Sequence, residues 1–198
     1  MFICSCTQLK LTVDGKEQED IKIISHGAYK EVKGAADILR KVSATTLMIT
    51  FRQTGDQKSS QDLMAFSVGG AEKKSSSSRA SIRMDREGYL TAIARASDKE
   101  AAHTIRAKEK ILAGDFHTAA LVVDYSKNEM HLYLDGKPVE TVGAVAFMAP
   151  VTDDTPSISV SLGSEDDGSD FFFEGELQKP MIWRRRLEAE EILTLSTP

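Results

Sequence analysis

Glu174 and Glu176 are the two carboxylates whose spacing most invites chemistry. They alternate within FFFEGEL, so on an extended segment both side chains point the same way. Glycoside hydrolysis asks for two carboxylates held across a ligand cleft. The bland reading is an edge strand with a solvated acidic face. The four histidines, His26, His103, His117 and His131, include no pair at helical ligand spacing. Neither cysteine, Cys4 or Cys6, lies near a histidine pair, so a closed zinc cluster is not expected. His117 and His131 are the two that a hairpin would bring side by side. No glycine-rich phosphate loop opens a helix.

Calcium takes six to eight oxygen ligands. Asp153-Asp154 and the run Glu165-Asp166-Asp167-Gly168-Ser169-Asp170 offer carboxylates of that kind. They lack the spacing of a helix-loop-helix site, so the expectation is no cofactor, with a surface calcium ion as the alternative to a plain acidic loop. Arg184-Arg185-Arg186 is a local basic run that faces either solvent or an anionic ligand. The net charge of −5, from 25 Lys+Arg against 30 Asp+Glu, argues against nucleic acid as a partner, because that asks for a basic stripe.

These residues must be positioned by strands. Leu9 to Val13 alternates apolar and polar before Asp14-Gly15, a tight-turn signal, and residues 20–24 resume the alternation, which predicts an N-terminal hairpin. Ala36, Ile38, Leu39 and Val42 recur at helical spacing, predicting a short helix over 35–42. TTLMITF, residues 45–51, is β-branched and apolar. Residues 63–68, 80–84, 89–94 and 101–105 follow as strands, with GGAEKKSSSS, residues 69–78, as a mobile loop. In residues 116–123, Ala119, Leu121 and Val123 share one face, and Ala120 and Val122 suggest that the other face is covered too. Met130, Leu132 and Leu134 share a face before the Asp135-Gly136 turn, and Leu132 and Leu134 are placed in the core. Residues 158–162 and 171–182 supply late strands, with Pro180 marking an edge or bulge. Leu187, Ile192 and Leu195 dock a helix over 187–193.

About a dozen strands and at most two short helices describe an all-β, two-sheet antiparallel sandwich of jelly-roll type. One domain spans 1–198, without internal repeat or linker. No apolar run reaches the roughly 18 residues of a membrane span. MFICSC at the start reads either as the tail of a secretion signal, with Cys6 lipid-anchored, or as a strand carrying two buried thiols. The expectation is a secreted or cell-surface protein.

The ordered blocks carry a resemblance. Thr46 to Phe51, the Leu63 to Val68 strand and Gly88-Tyr89-Leu90 through Arg95 follow the order of the TI-V-F, L-F-S and G-L-G-E-L-R strands. Phe116-His117-Thr118-Ala119-Ala120-Leu121-Val122 is similar to F-H-T-V-A-L-V, and Leu132-Tyr133-Leu134-Asp135-Gly136-Lys137 to L-Y-V-D-G-K. Phe173 to Leu177, Met181-Ile182-Trp183 and Leu187 to Ile192 match the closing strand and helix. Over residues 35–195 the chain resembles the N-terminal lectin-like domain of bacterial sialidases, a carbohydrate-binding module with a concanavalin-like jelly roll.

That resemblance implies a non-catalytic module that binds the sialic acid of sialylated host glycans. It also implies a sialidase propeller further along the same polypeptide. In the family an Arg holds the sugar carboxylate, with a Glu two residues before it. Arg95 matches the Arg, while Ile93 stands at the Glu. The family's second Arg falls near Glu165 or Asp166, and its Tyr near Phe171. The implied pocket is rebuilt with Arg83 beside Arg95, aimed at another sugar, or lost. Tyr89 or Phe171 would cover the apolar patches of the sugar. The alternative is a structural or protein-binding sandwich, with Trp183 and Arg184 to Arg186 as its contact. A minor third reading is a glucanase-like hydrolase using Glu174 and Glu176.

Overall fold

Period-two burial builds two sheets that close face to face. The computed structural model describes residues 9–18, 23–25, 30–32, 38–54, 59–68, 77–152, 158–164 and 171–197. The strands are β1 (Thr12–Val13), β2 (Lys16–Glu17), β3 (Ile23–Ser25), β4 (Lys30–Val32), β5 (Ala44–Gln53), β6 (Gln61–Val68) and β7 (Ser77–Met84). They continue with β8 (Tyr89–Ala94), β9 (His103–Lys110), β10 (His117–Asp124), β11 (Glu129–Leu134), β12 (Lys137–Val142), β13 (Ser159–Leu162) and β14 (Gly175–Trp183). One helix, α1 (Ala189–Ser196), follows. The first sheet runs β12-β11-β10-β5-β14-β1-β2 and the second β3-β4-β13-β6-β7-β8-β9. Neighbours are antiparallel except β1, which runs parallel to β14.

The main core lies between the sheets. Leu47, Ile49 and Phe51 from β5 meet Ala119, Leu121 and Val123 from β10, and Met64, Phe66, Ile82, Leu90 and Ile105 come from the second sheet. Leu132 is fully buried there, and Leu134 is partly buried against the same cluster. The outer face of the first sheet is covered as expected: Met48, Ala120, Val122, Tyr133 and Trp183 form a second cluster with Leu187 and Ile192. Trp183 is thus packed beneath α1, and it offers no apolar contact surface.

Helix α1 begins two residues later than expected, because Glu188 is its cap. The Glu188 side chain accepts from the amide of Glu191, and the Glu188 amide donates to Glu191 Oε2 at 2.9 Å, a reciprocal capping box. The Arg185 fork and that amide hold the Glu191 carboxyl down at about 2. The helix presses on the Asp135-Gly136 turn. Both turn residues have positive φ, 49° and 76°, as the tightest hairpin turns demand. A Cβ on Gly136 would lie 2.7 Å from Leu193 Cδ1 and 2.8 Å from Leu193 Cα. Gly136→Ala is expected to lower stability by about 1–3 kcal/mol, as overpacked sites do. Chemical denaturation checks this, and an unchanged midpoint would show that the helix is not seated there.

Several elements depart from the expected layout. The Asp14-Gly15 turn forms, but the chain returns at once as β2, while residues 23–25 join the other sheet. Residues 19–22 lie outside the described residues. So do 33–37, which hold the first three residues of the helix expected over 35–42; further along, Arg40 bridges to Val151. Of the loop expected over 69–78, residues 69–76 lie outside, and Ser77 and Ser78 already belong to β7. Ser78 is buried with its Oγ 3.2 Å from Ser67 Oγ, so pairing with β6 overrides the local serine bias.

β14 sits between β5 and β1. Among the described residues Glu176 lies on the half of β14 that pairs with β5 alone, since β1 reaches only Met181 and Ile182. Glu174 precedes it, with its amide on Gln61 Oε1 at 3.0 Å, and Glu176 is ion-paired to Arg52. Pro180 does mark a bulge, between Gln178 and Met181. His117 and His131 are not neighbours: His131 faces Val122 across the hairpin, and His117 reaches Asp135 Oδ2 at 2.8 Å instead.

Candidate functional site

The site residues expected from sequence lie on or beside the outer face of the second sheet. In β7, Ala80, Ile82 and Met84 point into the core, and in β8 Leu90, Ala92 and Ala94 do the same. Alternation therefore sends Ser81 and Arg83, and Tyr89, Thr91 and Ile93, to the other face. Small side chains line its middle: Ala65, Ser67, Ser81 and Ser161 are all fully buried.

Arg83 and Phe171 do come together. Arg83 Nε donates to Asp62 Oδ1 at 3.0 Å and Nη2 to Oδ2 at 3.3 Å, a bidentate pair in which Asp62 is wholly buried. The guanidinium lies 5.7 Å from the centre of the Phe171 ring. Phe171 is held at a φ of 58°, unusual for a bulky residue, and its carbonyl accepts from the Asp62 amide at 2.9 Å. This end of the face is internally neutralised, since Asp62 offsets the charge of Arg83.

Tyr89 stands at the same end, but its ring is engaged. Arg106 Cζ lies 3.8 Å from the ring centre and Lys110 Nζ 5.4 Å, a stacked cation–π arrangement. Arg106 is in turn oriented by Asp85 and Glu87, each at 2.6 Å. Burial works against the Asp85 charge, but hydrogen bonds from the Tyr89 amide and Arg106 outweigh it and hold the carboxyl below its ordinary range. The stacking face expected of Tyr89 is therefore already shared with two cations.

Arg95 lies elsewhere. Arg83 is paired with Thr91, and Arg95 follows four residues further on, about 13 Å along at the strand rise of ~3.3 Å per residue. The expected pairing of Arg83 beside Arg95 is not formed. The Arg95 backbone is pinned on both sides: its amide donates to Arg79 O at 3.0 Å, and its carbonyl accepts from the Met148 amide at 2.8 Å. Its Nε donates to Ser78 O at 3.0 Å and its Nη1 to Glu100 O. Both side-chain acceptors are neutral carbonyls. Among the described residues Arg95 has no ion-pair partner, so its positive charge is positioned but not compensated. Ile93, two residues before it, is nearly buried at 6% exposure. The segment 165–170, whose Glu165 and Asp166 stand near the family's second Arg, lies outside the described residues, as does Asp153-Asp154. Among the described residues no group of three metal-ligating side chains converges, and no helix is long and apolar enough to cross a membrane.

Sequence reasoning missed three residues that shape this region. Arg79 is the extra residue of a β-bulge, since Phe66 pairs with Ala80 and Ser67 with Ser78. It is buried, forked on Asp98 at 3.1 and 2.8 Å, and it donates to the Pro150 carbonyl at 2.9 Å. It sits at the end of a serine run that read as loop. Asp62 and Asp98 carried no signal, because their partners are 21 and 19 residues away.

Comparison with known proteins follows this geometry. The model of the concanavalin A-like lectin/glucanases superfamily matches residues 26–193. No curated protein gives a significant match. Among solved structures, a Ruminococcus gnavus IT-sialidase CBM40 bound to α2,3 sialyllactose is similar at a TM-score of 0.70 and 19% identity, covering 90% of this chain and 96% of that one. A leech intramolecular trans-sialidase is similar at 0.66 and 17% identity, over 90% of this chain but 27% of its own. A heptameric SAP-like pentraxin from Limulus polyphemus follows at 0.58 and 17%, covering 79% and 70%.

Proposed function

The chain belongs to the concanavalin A-like lectin/glucanase superfamily, and from that premise we propose that it is a non-catalytic carbohydrate-binding module recognising sialylated glycans through Arg95. The uncompensated Arg95 guanidinium carries this reading. Arg79, Arg83, Arg106, Arg184 and Arg185 each face a carboxylate, while among the described residues Arg95 is aimed by neutral carbonyls. A guanidinium held this way suits a sugar carboxylate, which supplies the missing charge and accepts in the plane of the fork. The similarity to the Ruminococcus gnavus CBM40, whose structure holds sialyllactose, supports the same ligand class.

Glu174 and Glu176 do not support hydrolysis, since Glu176 is committed to Arg52 and Glu174 lies before β14 rather than alternating with it in the strand. In this reading the module is secreted or displayed at the cell surface, where its glycans are, and it is tethered to a sialidase catalytic domain of the same polypeptide. A weak single site gains there from the effective concentration that tethering provides.

The test is titration of the chain with sialyllactose, followed by amide NMR. Amides around Arg95 are expected to shift at millimolar sugar. Arg95→Ala should abolish the shifts, and Arg95→Lys should weaken them because the planar fork is lost. Unshifted resonances around Arg95 would end this reading in favour of a sandwich that packs against a protein partner without a sugar site.

A further inference from the structure

The basic run at the exit of β14 is not absorbed by the sugar site, and strand register gives it a place. Trp183 pairs with Thr46, so the exit of β14 lies beside the entry of β5. Val13 pairs with Ile182 in parallel, which brings the Asp14 turn to the same end. These segments surround an open cleft of about 400 Å³, lined by Arg40, Lys41, Ser43, Arg184, Arg185 and Asp14.

Four cations against one carboxylate make the lining three charges positive, on a chain whose net charge is −5. The single carboxylate is already engaged: Asp14 accepts from the Arg184 amide at 2.9 Å and from Arg184 Nε at 2.6 Å. Arg185 is oriented by a fork on Glu191 at 3.0 and 2.7 Å; with Glu191 included the cleft still carries two positive charges. Arg40 and Lys41 are exposed and form no ion pair among the described residues. Their backbone is nonetheless set, by the bridge from Arg40 to Val151 and by a φ of 57° at Lys41. Gathering like charges around one cavity is unfavourable in itself, and a bound anion relieves it.

We propose that this cleft is an oxyanion-binding site that takes a sulfate or phosphate group, either as an ester on a sugar or as the free ion. Several cations lining one cleft suit a group with three acceptor oxygens better than a carboxylate, which one guanidinium satisfies. The site lies at an end of the first sheet, whereas Arg95 follows β8 of the second. It does not depend on the sialic acid reading.

The experiment titrates the full chain with sulfated lactose, lactose, inorganic sulfate and inorganic phosphate, following the amides of residues 40–43 and 184–185 by NMR. Sulfated lactose is expected to shift these amides at millimolar concentration, more weakly as salt rises, and lactose is not. Arg40→Gln with Lys41→Gln should weaken binding about tenfold or more, the scale of losing charge-assisted hydrogen bonds. Arg95→Ala should leave it unchanged. Inorganic sulfate or phosphate binding as tightly as sulfated lactose identifies the free ion as the ligand, whereas tighter binding of the ester identifies the sugar. Equal binding by the double variant, verified as folded by its melting curve, overturns the proposal, as does an absence of shifts with every anion. Should the double variant not fold, Lys41→Gln alone provides the same comparison at an exposed position.

Discussion

Asp98→Ala is expected to destabilise the fold by about 3–5 kcal/mol, the scale of breaking a buried ion pair by removing one partner. Arg79 is 3% exposed, and Asp98 is the carboxylate of its fork, at 3.1 and 2.8 Å. Without Asp98 the guanidinium loses that charge-assisted fork, while the Ala149 and Pro150 carbonyls, at 3.4 and 2.9 Å, still accept from it. Because Arg79 lies in a bulge, the strand must distort for its side chain to reach water. Changing both residues, as in Arg79→Met with Asp98→Ala, removes the buried charge along with its partner. The double variant should therefore lose less than the sum of the singles, with a coupling of about 0.5–3 kcal/mol. Urea denaturation of the four proteins measures it. A loss under about 1 kcal/mol for Asp98→Ala, below the range for breaking a buried pair, would show that the pair does not hold this end of the sheet.

Phe51→Ala is expected to cost about 3–5 kcal/mol, as large-to-small changes of buried aromatics do. Phe51 has no exposed surface. It lies on β5, between β10 and β14. Its ring packs edge-on against Phe173 at 6.2 Å between centres and tilted against His117 at 5.9 Å. The neighbours stand on three different strands or loops, so the cavity cannot collapse around a single mobile side chain. Phe51→Leu keeps most of the volume and should cost clearly less. Equal stabilities for wild type and Phe51→Ala would mean that the two sheets do not meet there.

The sandwich was legible because its central strands obey a simple rule. In residues 130–134 alternate positions are apolar, and in 119–123 every position is, as a strand covered on both faces requires; neither pattern needs a partner to be read. The Asp-Gly turns at 14–15 and 135–136 were legible for a similar local reason, since positive φ strongly favours a small set of residues. Elements whose conformation depends on a distant strand were misread. Ser77 and Ser78 have loop composition but gain the hydrogen bonds of β6. Glu176 looks like a solvated carboxylate, yet it is ion-paired to Arg52 of β5, 124 positions away.

The candidate site divides along the same line. The family resemblance marked Arg83, Tyr89, Arg95 and Phe171, because it rests on residue type and order along the chain, which are local properties. The sequence by itself determined the alternation that builds the sheets and the positions of the tight turns. Tertiary structure alone decided which charges are compensated. Asp62 faces Arg83, Asp98 faces Arg79, and among the described residues Arg95 meets carbonyls. Each of those outcomes turns on a strand register or a bulge that brings residues some twenty positions apart within about 3 Å, the reach of a hydrogen bond. Charge interactions fall with distance in space and take no account of distance in sequence, so an arginine with a counter-ion and one without look identical until the sheets are paired.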